Sequence, residues 1–132
     1  MKYEKIREAM SLPGFRWMPG MLDDGLERYI AHDSMETPSE TNGTDGGWKV
    51  ADSPRTLDPE RLITPDDPAT GGCLLELLGT TAHVWRCTKT GEWCIRSGGG
   101  STLSEYDAEG HTLGQACIAA ALALGRWPGG AP

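Results

Sequence analysis

The side chains best suited to nucleophilic chemistry in this sequence are four cysteines, Cys73, Cys87, Cys94 and Cys117. A reactive cysteine needs a neighbouring base or the first turn of a helix to lower its thiol pKa. Cys73 and Cys117 fall on the apolar faces of two predicted helices, beyond the first turn, so we expect both to be inert core residues. Cys94 is the remaining candidate, because it is predicted to lie on the polar face of a hairpin opposite Arg86. No pair has C-x-x-C spacing, and an intracellular chain keeps such thiols reduced.

Three histidines could join a cysteine at a metal ion: His32, His83 and His111. No two of them have the H-x-x-x-H spacing of a zinc site, so we expect no metal. The run GGGST at 98–102 could cradle a phosphate, but it lacks the lysine of a phosphate-binding loop and no helical pattern follows. We therefore expect no cofactor. An alternative function, an enzyme or a small-ligand-binding protein, would use His83, Cys94 and the glycine-rich loop at 98–111.

Charge is unevenly distributed along the 132 residues, whose formal net charge is −7. Residues 1–22 carry four basic and two acidic side chains, whereas residues 23–67 carry four basic and twelve acidic ones. A nucleic-acid site needs clustered lysine and arginine, and the sequence has no such cluster, so we predict no direct nucleic-acid binding. The acidic middle predicts either a solvated surface or a contact with a basic surface of a partner protein.

Five residues are candidate partner contacts. Asp58 and Glu60 lie on a proline-rich segment, so we expect them to face outwards. Asp66 lies close to the start of a predicted helix, within the same acidic stretch. Met18 and Met21 flank a predicted Pro-Gly turn and would form an exposed rim beside it.

Three helices are predicted from periodicity and capping signals. The first, over residues 2–11, follows from apolar residues spaced three and four apart. The second, over 67–78, has Asp67 as its N-cap, a proline at its first position and a glycine after its end. The third, over 112–124, opens on a capping box that begins at Thr112 and stops before a glycine.

The stretch PGFRWMPGM is predicted to be a buried strand followed by a turn. Phe15 and Trp17 alternate with their neighbours at the period of a strand with one buried face. Further strands are predicted over 26–32 and 48–51. The acidic segment at 33–47 has one methionine and no other sizeable apolar side chain, so we expect it to be a mobile loop.

Residues 83–97 form the clearest hairpin, for which two registers compete. A two-residue turn would set the two cysteines of the hairpin opposite each other. A three-residue loop would place Gly91 in the left-handed conformation and pair Trp85 with Ile95, so that one face is wholly apolar. Because burial of one coherent face fixes register, we predict the second arrangement and no disulfide.

These elements predict a single α+β domain over residues 1–132. A mostly antiparallel sheet would carry the second and third helices on one face, beside a short N-terminal helix. The tail that contains Trp127 is expected to fray. The charged start and the lack of a long apolar run predict no membrane segment and a cytoplasmic location.

Three motifs carry a resemblance: PGFRWMPGM at 13–21, PDDPATGGCLLELL at 65–78 and TLGQACIAAALALGRW at 112–127. Together they resemble small uncharacterised proteins of tailed phages and prophages, which commonly have the same opening and a DPATxGCLL segment. The match covers about 39 of 132 residues and departs from the family at Gly71, where a larger apolar residue is common. The resemblance implies an accessory phage product in the host cytoplasm, with no catalytic or binding residue to carry over. We predict a non-enzymatic protein that binds a phage or host protein, with its acidic surface as a candidate contact.

Overall fold

The computed structural model describes residues 2–31, 34–38, 48–50, 60–79, 82–97 and 106–130, which form three helices and two antiparallel sheets. In chain order the elements are α1 (Tyr3–Met10), β1 (Arg28–Ala31), β2 (Ser34–Pro38), β3 (Trp48–Val50), α2 (Pro68–Leu78), β4 (Ala82–Arg86), β5 (Trp93–Ser97), β6 (Tyr106–Gly110) and α3 (Leu113–Leu124). The predicted class, a single small α+β domain, is confirmed.

The strands form two three-stranded sheets rather than one. The first has the order β1-β2-β3 and the second the order β4-β5-β6, and every neighbouring pair is antiparallel. Two strands fall where loops were predicted: β2 within 33–47 and β6 within 98–111. The first prediction relied on polar composition and the second on the glycine run, but backbone pairing along a neighbouring strand requires neither apolar side chains nor the absence of nearby glycines. Apart from His111, the rest of both predicted loops lies outside the described residues.

The boundaries of α2 and α3 agree with their capping signals. The Asp67 carboxylate accepts a hydrogen bond from the Thr70 N–H at 2.9 Å, and the Thr112 hydroxyl accepts one from the Gln115 N–H at 3.2 Å. Each helix also ends at its predicted glycine. Only half of the predicted capping box forms at α3, because the Gln115 side chain donates to Asp66 at 2.8 Å instead of returning to the cap.

Helix α3 is the centre of the molecule. It contacts two helices, α1 and α2, and two strands of the second sheet, β5 and β6. The helix arrangement is therefore partly as predicted, since α3 covers the second sheet and α2 packs on α3. The buried core consists of Ile6, Ala9, Met21, Leu62, Ile63, Leu74, Leu77, Leu78, Ile95, Ala116, Cys117, Ile118, Ala120, Ala121 and Trp127. None of the described helices has the length and hydrophobicity of a membrane span.

The predicted strand at Phe15 and Trp17 does not form. The alternation extends over too few residues to specify pairing, and packing of the rings determines the conformation instead. The Phe15 ring lies 6.1 Å from the ring of Trp127, and the Trp17 ring lies 6.3 Å from that of Tyr29. The predicted turn that follows is present, with Gly20 at a φ of +106°.

The C-terminal segment is docked, so the prediction that it frays is wrong. The Trp127 side chain is fully buried, and its indole Nε1 donates to the Ala9 carbonyl of α1 at 2.8 Å. Its backbone N–H donates to the Pro13 carbonyl at 2.8 Å, and the Gly129 N–H donates to Leu77 at 2.7 Å. The segment closes the core between α1 and α2.

The hairpin register differs by one residue from the predicted one. Val84 pairs with Ile95, and Trp85 pairs with Cys94. The connection has four residues, 88–91, and Gly91 takes the predicted left-handed conformation with a φ of +74°. The shift exchanges the faces of Val84 and Trp85, so that Val84 packs against the core and Trp85 is 43% exposed.

Candidate functional site

An open groove of about 450 Å³ lies between the end of α1, the chain at 15–17 and the chain at 60–62. We call it the arginine–aromatic groove. Its lining residues are Arg7, Met10, Ser11, Phe15, Arg16, Trp17, Glu60, Arg61 and Leu62. Volumes of this size are typical of pockets that hold a small ligand or a few residues of a peptide.

The aromatic side chains of the groove are fixed from behind by the core. Phe15 and Trp17 are half-buried and meet edge to face, with ring centroids 6.4 Å apart. Phe15 rests on the buried Trp127, and Trp17 rests on the buried Tyr29. Because both rings are supported in this way, they present an apolar surface with little freedom left to lose on binding.

The three arginines of the groove differ in how they are held. Arg61 lies 3.4 Å from Asp24 and 4.0 Å from the buried carboxylate of Asp23. The hydrogen bond to Asp24, followed by the charge of Asp23, raises the pKa of Arg61. Arg7 and Arg16 are exposed, and neither forms an ion pair within the described ranges. The groove therefore offers two guanidinium groups whose donors are available.

A second pocket, of about 360 Å³, lies where α2 and α3 begin. We call it the Trp93 pocket. Its lining residues are Pro65, Asp66, Asp67, Pro68, Trp93, His111, Thr112, Leu113 and Gly114. The His111 side chain is 80% exposed, and its Nδ1 lies 3.6 Å from the Glu92 carboxylate.

The acidic residues at the start of α2 are engaged with their own chain. Asp66 accepts hydrogen bonds from the Thr112 hydroxyl at 3.0 Å and from Gln115. Asp67 accepts two hydrogen bonds from the Arg28 guanidinium, at 2.9 and 3.1 Å. Burial raises the pKa of the Asp67 carboxyl, but the hydrogen bonds from Arg28 and Thr70 outweigh it, so that the pKa lies below its ordinary value.

The five predicted contact residues have different surroundings. Asp58 lies outside the described residues. Glu60 is exposed at the arginine–aromatic groove, and Asp66 is exposed but bound to α3. Met18 is half-buried, whereas Met21 is fully buried, so the prediction that both methionines form an exposed rim is wrong for Met21. Its side chain is part of the hydrophobic core, and its sulfur accepts a hydrogen bond from the Met18 N–H at 3.3 Å.

The predicted site around Cys94 is not assembled as expected. Cys94 is buried and pairs with Trp85, while Arg86 pairs with Trp93, because of the one-residue register shift. His83 is exposed on the same face of the hairpin as Cys94. His32 and the glycine-rich run at 98–105 lie outside the described residues.

The other three cysteines differ in thiol acidity. Burial raises the pKa of Cys117 to about 12, and burial also raises the pKa of the half-buried Cys73. Hydrogen bonds from the Thr90 hydroxyl, from the Thr90 N–H and from the Lys89 N–H lower the pKa of Cys87. The predicted core placement holds for Cys117. In the part of the chain that the structure describes, no three His, Cys, Asp or Glu side chains are grouped to hold a metal ion.

Sequence reasoning missed the arginine–aromatic groove. Its arginines stand at positions 7, 16 and 61, so they form no cluster in the sequence, and only the fold brings them together. The available signal was the presence of Arg16 between two aromatic residues. In comparisons with known proteins, no family model, curated protein or solved structure matches the chain.

Proposed function

We propose that the protein is a non-enzymatic accessory protein of a phage or prophage that binds a phage or host protein. The motifs at 13–21, 65–78 and 112–127 support the phage assignment. The observation that carries the binding role is the arginine–aromatic groove. Arginine, tryptophan, phenylalanine and methionine are the residue types enriched in protein interfaces, and all four line this groove.

The groove is a better contact surface than the acidic segment. Two acidic residues of the stretch that would meet a basic partner, Asp66 and Asp67, already bind Gln115 and Arg28. The groove instead combines two supported aromatic rings with two guanidinium groups, Arg7 and Arg16, that form no ion pair with the residues the structure describes. We therefore propose the groove as the main contact and the acidic surface as the alternative contact, which calls for a basic partner.

The test is affinity capture from a bacterial host lysate, followed by mass spectrometry. Four forms are compared: wild type, Arg7→Glu with Arg16→Glu, Asp58→Lys, and Arg126→Glu as a matched control. Arg126 is exposed and is not part of the groove. We expect a specific partner that the first double variant loses and the control retains. Loss in the Asp58 variant alone would assign the contact to the acidic surface, and no specific partner for any form would contradict the proposal.

A second candidate function is small-ligand binding or catalysis near His83, Cys94 and the 98–111 loop. The Trp93 pocket supports it in part, because His111, the last residue of that loop, lines a concave surface of ligand size. Cys94 follows Trp93 on β5, so its side chain faces the side of the strand opposite to that of Trp93. Thermal unfolding with a library of small molecules tests this function. A compound that raises the melting temperature of the wild type, but not of His111→Ala, would favour it over protein binding.

A further inference from the structure

We propose that the arginine–aromatic groove binds a short acidic segment of the partner protein, in which carboxylates flank an apolar side chain. This inference rests on the proposed function and specifies the partner's chemistry. It follows from three features of the groove: the geometry of its cations, the rigidity of its apolar surface and the charge around it.

The cations of the groove are suited to carboxylates. All three are arginines, whose planar guanidinium forms two parallel hydrogen bonds with one carboxylate. Arg61 is already held by Asp23 and Asp24, so its charge is fixed at one side of the groove. Arg7 and Arg16 are the groups whose donors an incoming carboxylate would meet.

The apolar surface of the groove provides a place for one side chain between the carboxylates. Phe15 and Trp17 are half-buried, and Met10 lies beside them in the same groove. Their support by Trp127 and Tyr29 means that the surface exists before a ligand arrives. Preorganised aromatic and arginine side chains carry most of the binding energy in protein interfaces.

The surrounding charge favours a short segment over a nucleic acid. The chain has a formal net charge of −7, and the exposed Glu4 and Glu8 lie on α1, the helix that carries Arg7. A nucleic-acid strand has a phosphate at every nucleotide, so it would extend beyond the groove into acidic surroundings. A short peptide with a few carboxylates can stay within the groove, beside the arginines.

The test measures fluorescence polarisation of the labelled hexapeptide Glu-Asp-Phe-Glu-Leu-Asp. Its amide counterpart, Gln-Asn-Phe-Gln-Leu-Asn, and a six-nucleotide oligothymidine are the control ligands. Wild type is compared with Arg7→Glu plus Arg16→Glu and with Arg126→Glu, after circular dichroism has shown that each is folded. Chemical shifts of the Trp17 indole N–H in the wild type report the location of binding, even where the double variant fails to fold.

We expect saturable binding of the acidic peptide that shifts the Trp17 signal. The amide peptide should bind at least about tenfold more weakly, the double variant should lose about tenfold or more, and Arg126→Glu should stay within about twofold. Equal affinity for both peptides, no saturable binding, or tighter binding of the oligothymidine would overturn the inference. If the acidic peptide fails while the Arg7 and Arg16 variant still loses a captured partner, the proposed function stands and only the acidic chemistry is wrong.

Discussion

Replacement of Trp127 by alanine should unfold the protein at a much lower denaturant concentration. The side chain is fully buried, and its indole donates to the Ala9 carbonyl at 2.8 Å. It also supports Phe15, with ring centroids 6.1 Å apart. The residue therefore joins the C-terminal segment, α1 and the arginine–aromatic groove, so its loss should weaken all three.

The expected cost of Trp127→Ala is about 3–5 kcal/mol, the range for deletion of a large buried side chain. The Ala9 carbonyl still accepts the Leu12 N–H at 3.2 Å, so no further penalty for an unpaired acceptor is added. Trp127→Phe keeps most of the packing and loses the indole hydrogen bond, which corresponds to about 1–3 kcal/mol. Against a total of roughly 5–15 kcal/mol for a domain, the alanine variant is severely weakened.

The measurement is urea unfolding followed by far-ultraviolet circular dichroism. With a slope of about 2 kcal/mol per molar urea, the midpoint should fall by about 2 M for Trp127→Ala and by about 1 M for Trp127→Phe. Trp85→Ala is the matched control: this tryptophan is 43% exposed and stacks 5.9 Å from the Arg96 guanidinium. Trp85→Ala should lower the free energy of unfolding by no more than about 1 kcal/mol. Equal shifts for Trp85→Ala and Trp127→Ala would refute the docked C-terminal segment.

Three further predictions follow from the cap, the helix contact and the cysteines. The Asp67 carboxyl, whose pKa is lowered, contributes stability that is present above its unfolded value of 3.8 and is lost as the pH falls through the lower folded value. Asp67→Asn should therefore lower the free energy of unfolding by about 1–3 kcal/mol at pH 7. Below pH 4, the urea midpoint of the variant should depend less on pH than that of the wild type. Parallel pH curves for the two proteins would contradict this prediction. Gly114→Ala should destabilise the protein by about 1–3 kcal/mol, because the new methyl group meets the backbone carbonyl of Pro65. Gly72→Ala has open space around the new methyl group and should stabilise the protein by about 0.5–1 kcal/mol. The melting temperatures of the two variants should therefore shift in opposite directions. In native-state thiol labelling at pH 7, Cys87 should react first, because its thiol pKa is lowered. Cys117, with a pKa of about 12, should have a thiolate fraction roughly a thousandfold smaller than that of an ordinary thiol. Rapid labelling of Cys117 would show that α3 is not packed as described.

Helix boundaries and fold class followed from the sequence because they depend on local interactions. The Asp67 cap reaches only three residues along the chain, and so does the cap at Thr112. Such contacts form wherever the right side chains stand at the right spacing. The left-handed glycine at position 91 is local in the same sense, since its requirement arises within one turn.

The register of the hairpin could not be settled by local signals. A three-residue and a four-residue connection both place Gly91 in the left-handed conformation, but they set opposite faces of β4 against the core. In the structure, α3 packs against β5 and β6, and Ile95 is fully buried. The hairpin has the four-residue connection, which places Val84 rather than Trp85 opposite Ile95. Local signals also left the strand order of the two sheets undetermined. One strand of each sheet, β2 or β6, lies in a segment whose composition predicted a loop.

By itself the sequence determined the helix caps, the α+β class and the uneven charge, since each depends on composition or on residues a few positions apart. Tertiary structure decided which of the charged and aromatic residues share a surface. Trp127 meets Ala9 across 118 positions, and the groove joins arginines at positions 7, 16 and 61. Contacts at such separations depend on how the whole core packs, and no pattern within a short window of sequence specifies that packing.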